Sequence, residues 1–249
     1  MLDTVQGRLN ILLCYVTVTG GQRTEELAAR FANTYREHPP GFPHRTMVIC
    51  NGGEPSLPTK LLLNDLPDVE FYLRPNDPGW DISAYLEIAR HVDSDRWMML
   101  CFGESIHFHR AGWLDRLVTA WKFFGPGMYG AFASNTVRAH INTTGFAISA
   151  AQLASYKGPL FFDRGQADRY EFEHGDRALW RQLAERKLPV YLVTWDGFWH
   201  PQAWRVPTNI LWRGNQRNCL FFCQHTDRYF AADQKRRRNW ERYIDGPYR

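Results

Sequence analysis

Glu104 closes an unbroken apolar run, Trp97-Met98-Met99-Leu100-Cys101-Phe102, after one small residue, Gly103. Six apolar residues are too few to cross a membrane and suit a strand buried on both faces. Strands of that kind belong to parallel sheets covered by helices, which bind ligands just beyond their carboxyl ends. Glu104 then sits on the ligand edge with an acid to offer. Three residues further on, His107 begins an alternation with His109, so an extended backbone turns both to one side. With Glu104 they make a candidate two-His-one-carboxylate metal set, the competing reading being hydrogen-bonded or solvent-facing imidazoles. Cys219 and Cys223 alone do not make a zinc site.

The elements that must position these groups follow from periodicity and breakers. Leu9 to Val18 is a β-rich run ending in Thr19-Gly20-Gly21, and Leu27, Phe31 and Tyr35 then recur every fourth residue, as on a helix docking one stripe. Strands at 46–50 and 69–73 each end in a turn cluster, Asn51-Gly52-Gly53 and Arg74-Pro75-Asn76-Asp77-Pro78-Gly79. A helix over 81–90 takes Asp81 as N-cap. The run ending at Glu104 is thus the fourth strand of an alternating series, which predicts an α/β, Rossmann-like, mostly parallel sheet with helices on both faces. Parallel strands bring Thr17, Thr19, Asn51, Asn76, Gly79 and Glu104 to one edge. Downstream, a helix over 113–124 is followed by less regular strands within 128–134 and 139–149. A helix over 168–183, a last core strand over 189–194 and a helical tail over 229–243 complete the series. Neither G-x-G-x-x-G nor G-x-x-x-x-G-K-[ST] occurs, so a nucleotide must be held without those loops.

Composition narrows the classes. The 249 residues suffice for a sizeable core, and ten Trp, eleven Tyr and sixteen Phe are compatible with a sugar- or base-stacking surface as well as with plain core. From Arg228 to Arg249 there are seven basic residues against three acids, which leaves the rest of the chain balanced. Such a tail attracts phosphates or is a solvated helix face. Five cysteines, three inside apolar runs, point to a reducing compartment. The first eight residues lack a leader pattern and no stretch has the length of a membrane span, so a soluble cytoplasmic protein is expected.

Four segments resemble the inverting family 2 glycosyltransferases of GT-A fold. They are Leu12 to Val18, Arg74 to Tyr85, Met99 to Ser105 with Gly112-Trp113-Leu114, and Phe172-Glu173-His174-Gly175-Asp176 followed by a helix, a strand and His200. The resemblance implies transfer of a sugar from a nucleotide-diphosphate sugar to an acceptor hydroxyl, with inversion. Asn76, Gly79 and Asp81 would contact the nucleoside, together with Thr17, Thr19, Asn51 and Gly103. Glu104 and His200 would hold Mn²⁺ or Mg²⁺ on the diphosphate. Glu173, with Asp176 as second choice, would take the acceptor proton. The chain departs from the family's paired aspartates, having Gly103-Glu104-Ser105, and His174 follows Glu173 where an acid is usual.

Residues 1–227 are read as one GT-A-like catalytic domain, 1–105 its nucleotide-binding half and 106–227 its acceptor half, with 228–249 the basic helical tail. The acceptor is a saccharide, a glycoconjugate, or a polyanion such as phage-type DNA with hydroxymethylated bases, whose affinity would fall steeply with salt. Two other readings are a non-catalytic binding module of the same fold and a non-haem metal enzyme on Glu104, His107 and His109.

Overall fold

The structure, a computed structural model, describes residues 9–76, 79–92, 96–135, 138–159 and 164–245. The N-terminal octapeptide and the Asp77-Pro78 part of the third turn, both read above, lie outside the described residues. The first half alternates as expected: β1 (Asn10–Val18), α1 (Thr24–Glu37), β2 (Arg45–Asn51), α2 (Leu57–Leu63), β3 (Val69–Arg74), α3 (Trp80–Val92), β4 (Trp97–Phe102) and α4 (Trp113–Phe124). Then come β5 (Met128–Gly130), β6 (Ala133–Ser134), β7 (His140–Ile141), β8 (Gly145–Ser149), α5 (Ala150–Ala154), α6 (Gln166–Glu173) and α7 (Leu179–Glu185). The chain continues through β9 (Val190–Val193), β10 (Phe198–Trp199), α8 (Gln224–Ala231) and α9 (Gln234–Asp245).

Eight strands form one sheet in the order β10-β9-β5-β8-β4-β1-β2-β3. The block β3-β2-β1-β4 is parallel, as is β5 with β9, whereas β8 runs antiparallel between β4 and β5 and β10 antiparallel to β9. The mostly parallel α/β sheet expected from the alternation is therefore present. Strand alternation sends successive side chains to opposite faces. Leu13, Tyr15, Leu100 and Phe102 join α1 and α4 in one core, while Leu12, Cys14, Met99 and Cys101 join α3, α5 and α7 in the other. This is why β4 needs apolar residues at every position.

Trp113, fully buried at the start of α4, stacks on Phe108 with ring centroids 4.3 Å apart and packs against Phe102 and Tyr35. Trp113→Ala is expected to cost about 3–5 kcal/mol of unfolding free energy, read by urea titration. A loss under about 1 kcal/mol would deny this cluster its place as a core anchor.

Two expected elements differ in the structure. The helix over 168–183 is two helices, α6 and α7: Glu171 turns back to accept the Arg177 N–H at 2.7 Å, and the chain bends at Gly175-Asp176. The tail helix is also two, because Asp233 caps a fresh start by accepting the Arg236 N–H at 2.8 Å. The boundary at 227/228 accordingly falls inside α8. Helix α2 was not expected at all. Its buried residues are Thr59 and Leu63 while Leu57 and Leu61 face solvent, so hydrophobicity does not mark its docking face. Its cap is Ser56, which accepts the Thr59 N–H.

Among the described residues no helix is long and apolar enough to cross a membrane. All five cysteines are free and buried.

Candidate active site

A cavity of about 440 Å³ opens at the carboxyl edge of β1, β2 and β4, where the first turns of α1 and α3, the 142–144 turn, α6 and the start of α8 converge. Glu104 is placed there by β1. Its Oε1 accepts hydrogen bonds from the Thr17 hydroxyl at 3.0 Å and the Val18 N–H at 3.2 Å, and the Tyr15 hydroxyl donates to its backbone carbonyl at 3.0 Å. Burial, and then the neighbouring Glu104, push the Tyr15 phenol far above its ordinary value, so Tyr15 stays a donor. Gly103 is pinned by its N–H to the Thr144 carbonyl at 2.8 Å, and a Cβ there would stand 3.5 Å from Asp81 Oδ2.

Asp81 occupies the first turn of α3, inside the helix rather than at its cap, and accepts the Ile82 N–H at 3.1 Å. Burial pushes its carboxyl up to about 6; Arg169, 3.5 Å away, pulls it down, and Glu173 pushes it up further. Trp80, just before it, holds a left-handed backbone (φ 50°) that a bulky residue adopts only under constraint. That constraint is visible: the Trp80 carbonyl receives Asn51 Nδ2 at 3.0 Å and the Ser83 hydroxyl at 3.2 Å. Buried Arg74 braces the same turn, donating to Asn51 Oδ1 at 2.8 Å and to Glu87 at 2.9 Å. The result is an indole 58% exposed on the cavity wall, with the Arg169 guanidinium 4.7 Å from its ring centroid.

Glu173 ends α6, one helical turn beyond Arg169. Its Oε1 accepts the Thr143 N–H at 2.9 Å and the Thr143 hydroxyl at 2.5 Å, and its Oε2 lies 3.6 Å from His174 Nε2. His174 and His140 face each other with ring centroids 3.9 Å apart, and burial brings both to about 4.

Of the residues singled out from sequence, the cavity thus brings together Asn51, Asp81, Gly103, Glu104 and Glu173. Thr17 stands behind them as the Glu104 clamp. Thr19 is spent on the Gly53 carbonyl at 3.0 Å, the buried Gly79 accepts the Ile82 and Ser83 N–H groups, and Asn76 is exposed; none of these three lines the cavity. Asp176 is 91% exposed and paired with Arg138 at 2.8 Å, outside the lining. His200 is exposed too, its Nδ1 against the Gln202 side-chain oxygen, because β10 carries it away from Glu104.

His107 and His109 do not join Glu104 either. Buried His107 meets Arg30 at 2.6 Å within an Arg30–Asp227 ion pair. His109 stacks on Phe222, 4.0 Å between centroids, with its Nε2 at the Cys219 carbonyl. Divalent cations of the Mg²⁺ and Mn²⁺ kind want several oxygen donors converging at about 2 Å. Glu104 has one oxygen engaged by Thr17 and Val18, and among the described residues no three His, Cys, Asp or Glu side chains stand close enough to hold an ion. The donor set does not fit a resident divalent metal.

Among the lining residues that were not anticipated are Arg169, Gln224 and His225. The last two arrive because the chain returns after β10 and docks α8 on the turn beyond β4, the Gln224 N–H donating to the Ser105 hydroxyl at 3.3 Å. His107 and Phe222 exchange backbone hydrogen bonds in the same place. The reciprocal cap of Cys223 and Thr226, Cys-x-x-Thr ahead of a helix, was the available signal. Arg169 had none, being one cation on a short helix.

A larger cavity, about 840 Å³, lies at the amino edge of β1 and β4, lined by Asn10, Phe42, Arg45, Asp68, Arg96 and Lys122 among others. Among the described residues its one carboxylate, Asp68, pairs with Arg45 at 3.0 Å. Size is the poorer guide here, since open α/β sheets place ligands at strand carboxyl ends.

No family model and no curated protein matches the chain. Among solved structures it is similar to the galactosyltransferase LgtC in complex with donor and acceptor sugar analogs, at 10% identity over 67% of this chain and 68% of that one, TM-score 0.45. A protein from Desulfovibrio desulfuricans G20, assigned as a nucleotide-diphospho-sugar transferase, aligns over 92% of this chain and 97% of its own at 12% identity, TM-score 0.46. The mannosyltransferase PcManGT from Pyrobaculum calidifontis, in complex with GDP-Man and Mn2+, aligns over 59% of this chain and 46% of its own at 12% identity, TM-score 0.40.

Proposed function

We propose that the chain is a glycosyltransferase of GT-A type that takes its sugar from a nucleotide-diphosphate donor bound in the 440 Å³ cavity. One observation carries the reading: Asn51, Asp81, Gly103, Glu104 and Glu173, drawn from four resembling or strand-end segments, meet in one cavity at the carboxyl edge of the sheet. In this reading Asn51, Trp80 and Asp81 face the nucleoside, Gly103-Glu104 the diphosphate and sugar, and Glu173 the acceptor. Glu173 removes the acceptor proton as the acceptor oxygen bonds to the anomeric carbon and the bond to the diphosphate oxygen breaks, which inverts that carbon. The catalytic unit, read from sequence as 1–227, extends in this reading to the end of α8 at Ala231, with Gln224 and His225 of that helix lining the cavity.

The acceptor is a saccharide or glycoconjugate. A phosphate-bearing acceptor, DNA with hydroxymethylated bases included, would in addition meet the exposed Lys235, Arg236, Arg238 and Arg242 of α9.

A thermal-shift panel of nucleotide-diphosphate sugars, each with its matching nucleoside monophosphate as control, tests the reading. At ligand concentrations a hundred times the dissociation constant, stabilisation of about 2.7 kcal/mol is expected. A panel in which no diphosphate sugar raises the melting temperature above its control contradicts it.

A further inference from the structure

We propose that Arg169, rather than a bound divalent cation, is the charge that receives the diphosphate of the donor. The inference rests on the glycosyltransferase reading and deepens it. Among the described residues three carboxylates line the cavity, Asp81, Glu104 and Glu173, and an anionic diphosphate entering among them is repelled unless a cation stands between. As the bond from the anomeric carbon breaks, its electron pair passes to the diphosphate oxygen, while the acceptor oxygen forms the new bond and yields its proton to Glu173. The need for positive charge is greatest at that moment.

The usual answer is a metal, and the donor set described above does not supply one. Glu104 is half engaged, His200 points elsewhere, and among the described residues no three ligating side chains converge. Arg169 supplies the missing charge. It stands on α6 between two other lining residues, Gln166 and Glu173, and is the arginine or lysine among the described residues of the cavity wall.

Its geometry suits phosphate. The Arg169 guanidinium carbon stands 4.7 Å over the Trp80 ring centroid, and a guanidinium packed against an aromatic face keeps N–H donors for a bidentate oxyanion. The indole beneath it is not loose: the left-handed Trp80 backbone is held through its carbonyl by Asn51 and Ser83. Asp81 lies 3.5 Å from the guanidinium, beyond a short hydrogen bond, so it competes only weakly for the group and leaves N–H donors for a ligand. Asn51, the 74–87 segment that carries Arg74, Trp80 and Glu87, and the cation at Arg169 are three separate segments in sequence; the fold brings them together at one side of the cavity.

Isothermal titration of inorganic pyrophosphate, UDP and GDP into the full chain, in EDTA and again with Mn²⁺, tests this. The wild-type chain is expected to bind pyrophosphate and one of the nucleotides in EDTA, with Mn²⁺ changing affinity less than about twofold. Arg169→Gln is expected to weaken both at least about tenfold, and Arg169→Lys to recover part of the loss as a point charge without the fork. Asp81→Asn gives a check of opposite sign: removing the competing carboxylate should tighten pyrophosphate. Binding that requires Mn²⁺ and is unmoved by Arg169→Gln overturns the proposal, as does weaker pyrophosphate binding by Asp81→Asn. If UDP or GDP binds wild type and Arg169→Gln equally, only the role of Arg169 falls. If none of the three binds wild type with or without Mn²⁺, the donor-site reading falls with it.

Discussion

Glu173→Gln is expected to lower turnover about a hundred- to ten-thousand-fold, the usual contribution of a positioned general base, while leaving donor affinity within about twofold. The substitution is conservative in structure. Gln keeps a side-chain oxygen for the Thr143 N–H and hydroxyl that hold Oε1, so the wall of the cavity stays in place. What it loses is the capacity to accept a proton. Asp176, three residues on, provides the contrast: it is exposed, paired with Arg138 and outside the cavity, so Asp176→Asn should leave turnover within about twofold. Initial rates for the two variants with the donor found by thermal shift separate the two acids. A fully active Glu173→Gln would remove Glu173 as the base.

The second large effect concerns stability in acid. Burial brings the imidazoles of His107, His140 and His174 from the ordinary 6.5 to about 4, with Arg30 adding to the effect on His107 against Asp227, and His140 adding to it on His174. Each is neutral in the folded chain, whereas in the unfolded chain it takes a proton near pH 6.5. Their contribution is therefore complete above pH 6.5 and is lost as pH falls towards 4. Each group is worth up to about 3 kcal/mol over that window, against a total stability of roughly 5–15 kcal/mol for a folded domain.

Asp81 works in the opposite direction. Raised to about 6, it binds a proton in the folded chain first, which adds stability as pH falls from about 6 towards its unfolded value near 4. One such group against three histidines leaves a net loss. Urea titrations at pH 7, 6 and 5 should show stability dropping by several kcal/mol, and His174→Gln should flatten the dependence. Unchanged stability from pH 7 to 5 would contradict the neutral buried histidines.

How far these features were legible follows from the range of the interactions that make them. Strand β4 and helix α4 appear over the residues expected, because their signals are local: a run apolar on both faces, and a stripe of Leu114, Leu117, Val118 and Trp121 between Gly112 and Gly125. Glu104 at the strand end follows from the same logic. The direction of β8 did not, since it runs antiparallel to β4 after the two-residue ribbon of β6 and β7, and the Phe221 ring that approaches Gly145 comes from far along the chain. The break between α6 and α7 depends on one side-chain to backbone bond, Glu171 to Arg177, which no periodicity records.

The site shows the same division. Asn51, Gly103 and Glu104 lie at strand ends, where strand order gathers them, while Asp81 and Glu173 stand at helix ends in segments that the resemblance marked. His200 was placed by resemblance and lies outside the cavity, while Arg169 and His225 reach it through contacts spanning much of the chain. The chemistry of the wall changes accordingly, from a carboxylate–imidazole pair around an ion to carboxylates around a guanidinium.

The most direct measurement is an experimental structure with the nucleotide-diphosphate sugar that stabilises the chain best. The cavity at the carboxyl edge should then hold it, with the diphosphate between Arg169 and Gly103-Glu104, the base near Trp80 and Asn51, and the sugar turned towards Glu173. A ligand seated instead in the larger cavity among Arg45, Arg96 and Lys122, at the other edge of the sheet, would contradict that placement.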